Sequence, residues 1–342
     1  LLFATYLGGT NYEDFGGFSI GDDGDIYISG RTYSSDYPTT SDSFQSTYSG
    51  EGDGFLTCLS GSGNSIEYST YIGGSSTDYA LDIDLDSRGY PVLLFSTRSD
   101  DMYVTPECFQ QRLTGTQNGY LMGMDSDGGA RFATYFGGTR YFDYPYALKL
   151  DNQDRAVVVG QTSCLDYPST SGSYDAEADG YDGFVTAFDR NGTELYFSTF
   201  LGKATRVKEL EFTSNGTILL TGQTQDIKKG FPITAGAFDT IFSGKEEGFL
   251  SCLNENGSKL IFSTYLGATE NKEGSPQEIY HEDCLDLDLD REGWIYVSGY
   301  TDAPDLYVTK GAHDKNLTER ECILFMVSSD GRELKYCTYL GG

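Results

Sequence analysis

The stretch "TYLGG" at residues 5–9 returns as "TYLGG" at 338–342. Near-copies lie between: "TYIGG" at 70–74, "TYFGG" at 134–138, "TFLG" at 199–202 and "TYLG" at 264–267. The motif threonines, Thr5, Thr70, Thr134, Thr199, Thr264 and Thr338, are spaced by 65, 64, 65, 65 and 74 residues. A fixed period of this length marks a repeat architecture and decides how the rest of the chain is read.

Each period has the same inner grammar. "GGFSIGDDGDIYISGRT" (16–32) alternates apolar and polar residues on both sides of a Gly-Asp turn, as two half-buried strands do. A link, "DYPTTSDSF" (36–44), leads to a second hairpin, "DGFLTCLSGSGNSIEYSTYIGG" (53–74). The Asp-Gly and Asn-Gly turns supply the positive φ that tight hairpins need. One four-stranded sheet cannot bury both of its faces alone, and stacking such sheets face to face around an axis does so. The chain therefore reads as all-β: a β-propeller of four-stranded antiparallel blades, with five full repeats of about 65 residues plus one extra N-terminal strand, Leu1–Gly9. The blades fall at approximately 14–74, 78–138, 143–202, 206–267 and 282–342 of a single domain, 1–342. A motif at both ends is what a segment of a longer array would show. A linear β-solenoid is the rival, but its repeats are usually shorter. Within the motif, the aromatic residue is expected to pack between blades and the Gly-Gly to release the chain toward the next one.

Composition agrees with this reading. Aromatic residues make up 14% of the chain and there are 43 glycines, a mixture that suits short strands and tight turns. The net charge of −29 excludes a nucleic-acid partner, because a phosphate backbone must be met by clustered Lys and Arg. The acidity serves solubility or divalent-cation binding. No run of 18 apolar residues is present, so direct membrane insertion is not expected. Seven cysteines leave an odd one and form no C-x-x-C pair. Cys322 and Cys337 flank one hairpin and are candidates to face each other.

The quoted elements "FSTYLG(G)", "DGDIYISGRT", "DYPTT…F" and "DGFLTCL" resemble a family of bacterial and archaeal β-propeller repeats with a TYLGG signature, often called the seven-bladed β-propeller repeat. The resemblance covers essentially the whole chain. It implies secreted or cell-surface proteins built of tandem blades, hence an extracellular or cell-surface location, and it carries no catalytic residues over. The chain departs from the pattern at Lys203, which stands where a second glycine is expected, and at the insertion "ENKEGSPQEIYHED" (270–283).

The search for chemistry gives few candidates. Nucleophilic catalysis of the Ser-His-Asp kind needs a histidine base. Only His281, in the insertion, and His313, in a link, are available; His313 reads as a packing variant and His281 as a surface loop residue. No catalytic residue is assigned. No cofactor is required, and calcium is the cation that the acidic turns suggest. Its candidate ligands are Asp82, Asp84 and Asp86, then Asp125 and Asp127, then Asp286, Asp288 and Asp290. The competing reading is turn chemistry plus a solvated stripe, since alternate residues of a strand share a face. Tyr37, Tyr103, Tyr167 and Phe231 in the links are candidates to stack on sugars, or else pack in the blades. Asn191, Asn215, Asn256 and Asn316 lie in glycosylation sequons, open to glycans if the source organism modifies such sites.

The function expected from the sequence is a non-catalytic structural or adhesive module, not an enzyme. Its partners would be protein or surface glycan, and its strand edges would serve self-assembly. A carbohydrate-binding, lectin-like propeller is the alternative, and a carboxylate-based glycan-active enzyme is the third reading.

Overall fold

A computed structural model describes residues 2–225, 230–243, 245–268 and 281–341. Most of the 270–283 insertion lies outside the described residues. The fold is a β-propeller of four-stranded antiparallel blades, and the described residues contain no helix. Blade one comprises β1 (Glu13–Ile20), β2 (Ile26–Thr32), β3 (Asp53–Leu59) and β4 (Ile66–Ile72). Blade two comprises β5 (Asp78–Leu85), β6 (Pro91–Thr97), β7 (Asn118–Met124) and β8 (Ala130–Phe136). Blade three comprises β9 (Asp143–Leu150), β10 (Ala156–Thr162), β11 (Asp182–Phe188) and β12 (Leu195–Lys203). Blade four comprises β13 (Thr205–Phe212), β14 (Ile218–Thr224), β15 (Glu247–Leu253) and β16 (Leu260–Leu266). Blade five comprises β17 (Glu282–Leu289), β18 (Ile295–Thr301), β19 (Glu321–Val327) and β20 (Leu334–Leu340). Strands are in chain order within every blade.

The chain divides into two compact units. One holds residues 1–158, 162–168 and 186–196; the other holds 159–161, 169–185 and 197–342. In the first, blade one packs on blade two through Leu56, Ile72, Ile83, Phe95 and Met122. In the second, blade four packs on blade five through Leu250, Cys284, Leu287, Val297 and Phe325.

The motif forms the fourth strand of each blade. Its aromatic ring is buried at Tyr71, Tyr135, Phe200, Tyr265 and Tyr339. Its threonine has a job that the alternation pattern alone does not show. Thr70 Oγ1 accepts a hydrogen bond from the Gln45 N–H at 2.8 Å, and Thr134, Thr199, Thr264 and Thr338 accept from Gln110, Asp175, Asp239 and Asp314. The aromatic N–H groups of the same strands donate to the carbonyls of those link residues. The link after the second strand thus runs along the outer edge of the fourth. The edge N–H groups expected to serve self-assembly are engaged there, which blunts the edge.

The extra N-terminal strand is corrected. Residues 2–9 form no strand, and no bridge pairs them with any other of the described residues. They keep part of the motif's packing all the same. Phe3 lies against Gly63, the turn glycine of blade one, as Phe132 lies against Gly192, and Leu7 packs against the cluster of Tyr37, Phe55 and Tyr71. On β1, Phe15 and Phe18 are exposed, whereas the corresponding Ala80 and Ile83 of blade two are buried by blade one.

All seven cysteines are free thiols, and Cys322 and Cys337 do not face each other: Cys322 is opposite Leu340 and Cys337 opposite Phe325.

Candidate functional site

The residues singled out as calcium ligands are not gathered into a site. Asp82 Oδ1 accepts from the Ile83 N–H and Oδ2 from the Leu148 N–H, both at 2.8 Å. Asp84 repeats this with Leu85 and Leu150. The two carboxylates therefore share a face, as the alternation requires, but that face is not a solvated stripe. It bridges the first strand of blade two to the first strand of blade three. Burial pushes the Asp82 carboxyl up to about 6. Asp86, Asp125 and Asp290 open hairpin turns, and each accepts N–H groups two and four residues on in the chain. Asp288 accepts from the Leu289 N–H. Asp127 and Asp286 are exposed. Among the described residues, no group of three or more His, Cys, Asp or Glu is arranged to hold a metal ion.

The link aromatics separate in the same way. Tyr37, Tyr167 and Phe231 are buried, so none of these three presents a ring face to a sugar. Tyr37 lies 4.6 Å from the Phe55 centroid and bonds Thr57 through its hydroxyl; Phe231 lies 4.7 Å from Phe249. They are blade core, because "DYP" folds its aromatic inward beneath the motif ring. Tyr103 is half-exposed and edge-on to Phe44. The four sequon residues, Asn191, Asn215, Asn256 and Asn316, are all exposed. His281 pairs with Asp302 at 3.3 Å, and the exposed His313 gives its N–H to the Tyr336 hydroxyl.

A cleft of about 540 Å³ opens between the hairpin turns of blades one and two, within the first unit. Its floor is apolar, from the buried Leu56 and Met124. Three tyrosines line it: Tyr27, Tyr68 and Tyr90. Tyr68 ties the two blades together. Its hydroxyl donates to the Gly128 carbonyl and accepts from the Phe44 N–H, both at 3.0 Å. Burial, with help from Cys58 and the Asp23 and Asp25 carboxylates, pushes the Tyr27 phenol up to about 12, which keeps it a neutral hydrogen-bond donor. Seven carboxylates complete the lining: Asp22, Asp23, Asp25, Asp42 and Glu67 from blade one, and Asp125 and Asp127 from blade two. Arg88 is the one cationic side chain in the lining. It is held by the buried Asp86 at 2.8 Å and lies 4.8 Å from the Tyr90 ring centroid. Asp86 is bonded in turn by Arg131.

The turns explain why the sequence builds this place. Gly24, Gly89 and Gly128 take φ of 90°, 79° and 75°, and each closes a five-residue turn; the turns of Gly24 and Gly128 hold Asp22, Asp23 and Asp127 outward. Of the residues lining the cleft, only Asp125 and Asp127 belong to the candidates drawn from the sequence. The rest was hidden because it assembles from two repeats. One signal was available: the fourth strands of blades two, three and four carry Phe132, Phe197 and Phe262 where blades one and five carry Tyr68 and Tyr336, and the hydroxyl of Tyr68 reaches the next blade.

No protein-family model matches this chain, and no curated protein matches it. Solved structures do. A point mutant of NanB sialidase from Streptococcus pneumoniae is similar at 9% identity and a TM-score of 0.49, over 98% of this chain and 62% of that one. An ulvan lyase of a new polysaccharide lyase family, bound to a GlcA–Rha3S repeat, is similar at 10% identity and a TM-score of 0.48, over 94% of this chain and 69% of that one. A thermostable family-43 glycoside hydrolase is similar at 10% identity and a TM-score of 0.39, over 99% of this chain and 96% of that one. The chain thus spans less than two thirds of the sialidase's length. Beside these enzymes, the expectations of a non-catalytic structural or adhesive module and of no enzymatic activity do not stand. The physical reason lies in the earlier exclusion, which covered histidine-based catalysis alone. Carboxylate chemistry leaves no motif to search for in a chain with 52 acidic residues.

Proposed function

We propose that this chain is a glycan-active β-propeller protein whose cleft between blades one and two receives the sugar. The observation that carries the reading is the joining of tyrosine rings, an apolar floor and carboxylates from two blades in one cavity. Pyranose rings present apolar C–H faces to aromatic rings and hydroxyls to polar groups, and tyrosine supplies both an apolar body and a polar tip. Glycoside cleavage needs two carboxyl groups flanking the scissile bond, one to protonate the leaving oxygen and one to attack or to activate water. Asp22 on the blade-one turn and Asp127 on the blade-two turn, neither taken up by a turn N–H, are the residues available for those roles. The location that goes with this reading is extracellular or cell-surface, as the repeat resemblance implies.

The test is incubation of the purified chain with a panel of neutral, acidic and amino-containing oligosaccharides. New reducing ends and tyrosine fluorescence quenching are the readouts. Saturable quenching with release of reducing ends, the latter lost in Asp127→Asn or Asp22→Asn, is the expected result. A panel without binding or cleavage would overturn the proposal.

A further inference from the structure

The charge of the cleft points to a narrower class of ligand, an inference that rests on the glycan reading above. Seven carboxylates line the cavity against one guanidinium, and Arg88 is already paired with Asp86 beneath the rim. Asp22, Asp42 and Asp127 accept no hydrogen bond from the described residues, whereas Asp25 and Asp125 are occupied by turn N–H groups. The cavity therefore holds acceptors in excess and no free cation to meet an anion. A sugar bearing carboxylate or sulfate would meet like charge in a confined space, where low-dielectric walls focus the field. A sugar bearing an ammonium group would meet the opposite: charge-assisted hydrogen bonds to the rim and aromatic rings beside it.

We propose that the cleft selects glycans with free amino groups, such as short oligomers of glucosamine, over their N-acetylated and uronic-acid counterparts. Tyr27 and Tyr68 supply the stacking surface, and Asp22, Asp42 and Asp127 supply the charge that discriminates. Acetylation removes the ammonium charge while leaving the pyranose ring and its hydroxyls in place. It therefore isolates the electrostatic part of recognition from the stacking part.

The experiment is titration calorimetry of the full chain with a glucosamine trimer, its fully N-acetylated form and a uronic-acid trimer, at low and at raised salt. The expected result is binding of the glucosamine trimer about tenfold tighter than the acetylated one, narrowing as salt screens the rim. A double variant, Asp22→Asn with Asp127→Asn, should lower the ratio of glucosamine-trimer to acetylated-trimer affinity about fivefold. Both residues are exposed, so folding should survive, and the variant's circular dichroism checks this. Equal binding of the charged and acetylated trimers would overturn the selectivity and leave the glycan reading standing. Binding of none of the trimers would overturn the glycan reading with it. An undiminished ratio in the double variant would show that the overall negative charge, not this cleft, attracts the ligand, and would overturn the proposal.

Discussion

The Tyr71 hydroxyl donates to the Ser34 carbonyl at 2.8 Å. The same hydroxyl accepts from the Tyr37 N–H at 3.0 Å, so one phenol closes the turn that starts each link. Tyr135 does this for Ser99 and Met102, and Tyr339 for Ala303 and Leu306. The motif tyrosine is thus a clasp as well as a packing ring.

Replacing Tyr135 by Phe should remove the clasp without disturbing the packing, because blade three carries Phe200 at the equivalent place. Loss of the hydroxyl leaves a buried carbonyl and a buried N–H short of a partner, worth about 1–3 kcal/mol. The variant should unfold at lower denaturant with an unchanged m-value, and a urea titration reads both. An unchanged midpoint would mean that the clasp adds nothing to stability.

These residues also show what was legible in the sequence and what was not. The hairpins were legible because alternation and glycine turns act over neighbouring residues: Gly24 and Gly89 mark their turns whatever lies beyond them. The order of strands in each blade followed from the repeat. The work of Thr70 and Tyr71 was not legible, since their partners lie in a link that carries no alternation. Asp82 and Asp84 were placed on one face correctly, but the neighbour across that face belongs to another repeat. The cleft was hidden for the same reason. Repeat logic averages over positions, whereas Tyr68 and Asp127 matter through what one blade does differently from the next.

Asp82 and Asp84 bridge two blades through backbone N–H groups, so truncating either should loosen the seam between blades two and three. Asp82→Ala leaves the Leu148 N–H without its acceptor at an expected cost of about 1–3 kcal/mol. Hydrogen exchange should quicken at Leu148 in this variant and at Leu150 in Asp84→Ala. Protection that stays the same at both amides would remove the bridging role.

The seam between blades four and five predicts an unusual pH dependence. Between blades two and three, Asn118 Nδ2 donates to Asp143 at 2.8 Å. Between blades four and five the corresponding residues are Glu247 and Glu282, both fully buried. Burial first, then the neighbouring carboxylates, pushes Glu247 up to about 9 and Glu282 up to about 8. Those neighbours are Glu282 and then Asp239 for Glu247, and Asp302 and then Asp305 for Glu282. The folded state therefore keeps protons that the unfolded chain, with an ordinary value of 4.5, has released. Stability from this pair is highest at low pH and falls as pH rises from about 4.5 to 9, the reverse of the usual carboxylate contribution. Glu247→Gln should flatten that fall, and denaturant midpoints measured from pH 5 to 9 give the slope. An identical slope in the variant would mean that the pair is not the source.

Gly128 links the fold to the cleft, and a pair of glycine variants can separate its two roles. Its φ of 75° lies in the left-handed region, where a side chain costs about 1–2 kcal/mol. A Cβ at this position would also stand 2.5 Å from Tyr68 Cε2, so the ring that lines the cleft must move. Gly89 supplies the control: its φ is 79°, it lines the same cleft, and a Cβ there meets nothing within 4 Å. Gly89→Ala and Gly128→Ala should therefore both lose about 1–2 kcal/mol of stability from backbone strain. Gly128→Ala should lose more, because displacing Tyr68 breaks its bond to the Gly128 carbonyl. The binding readout divides them more sharply. Glycan affinity should survive Gly89→Ala and fall about tenfold in Gly128→Ala if Tyr68 is a stacking surface worth about 1–2 kcal/mol. Equal affinities in the two variants would mean that the position of the Tyr68 ring is irrelevant to the ligand.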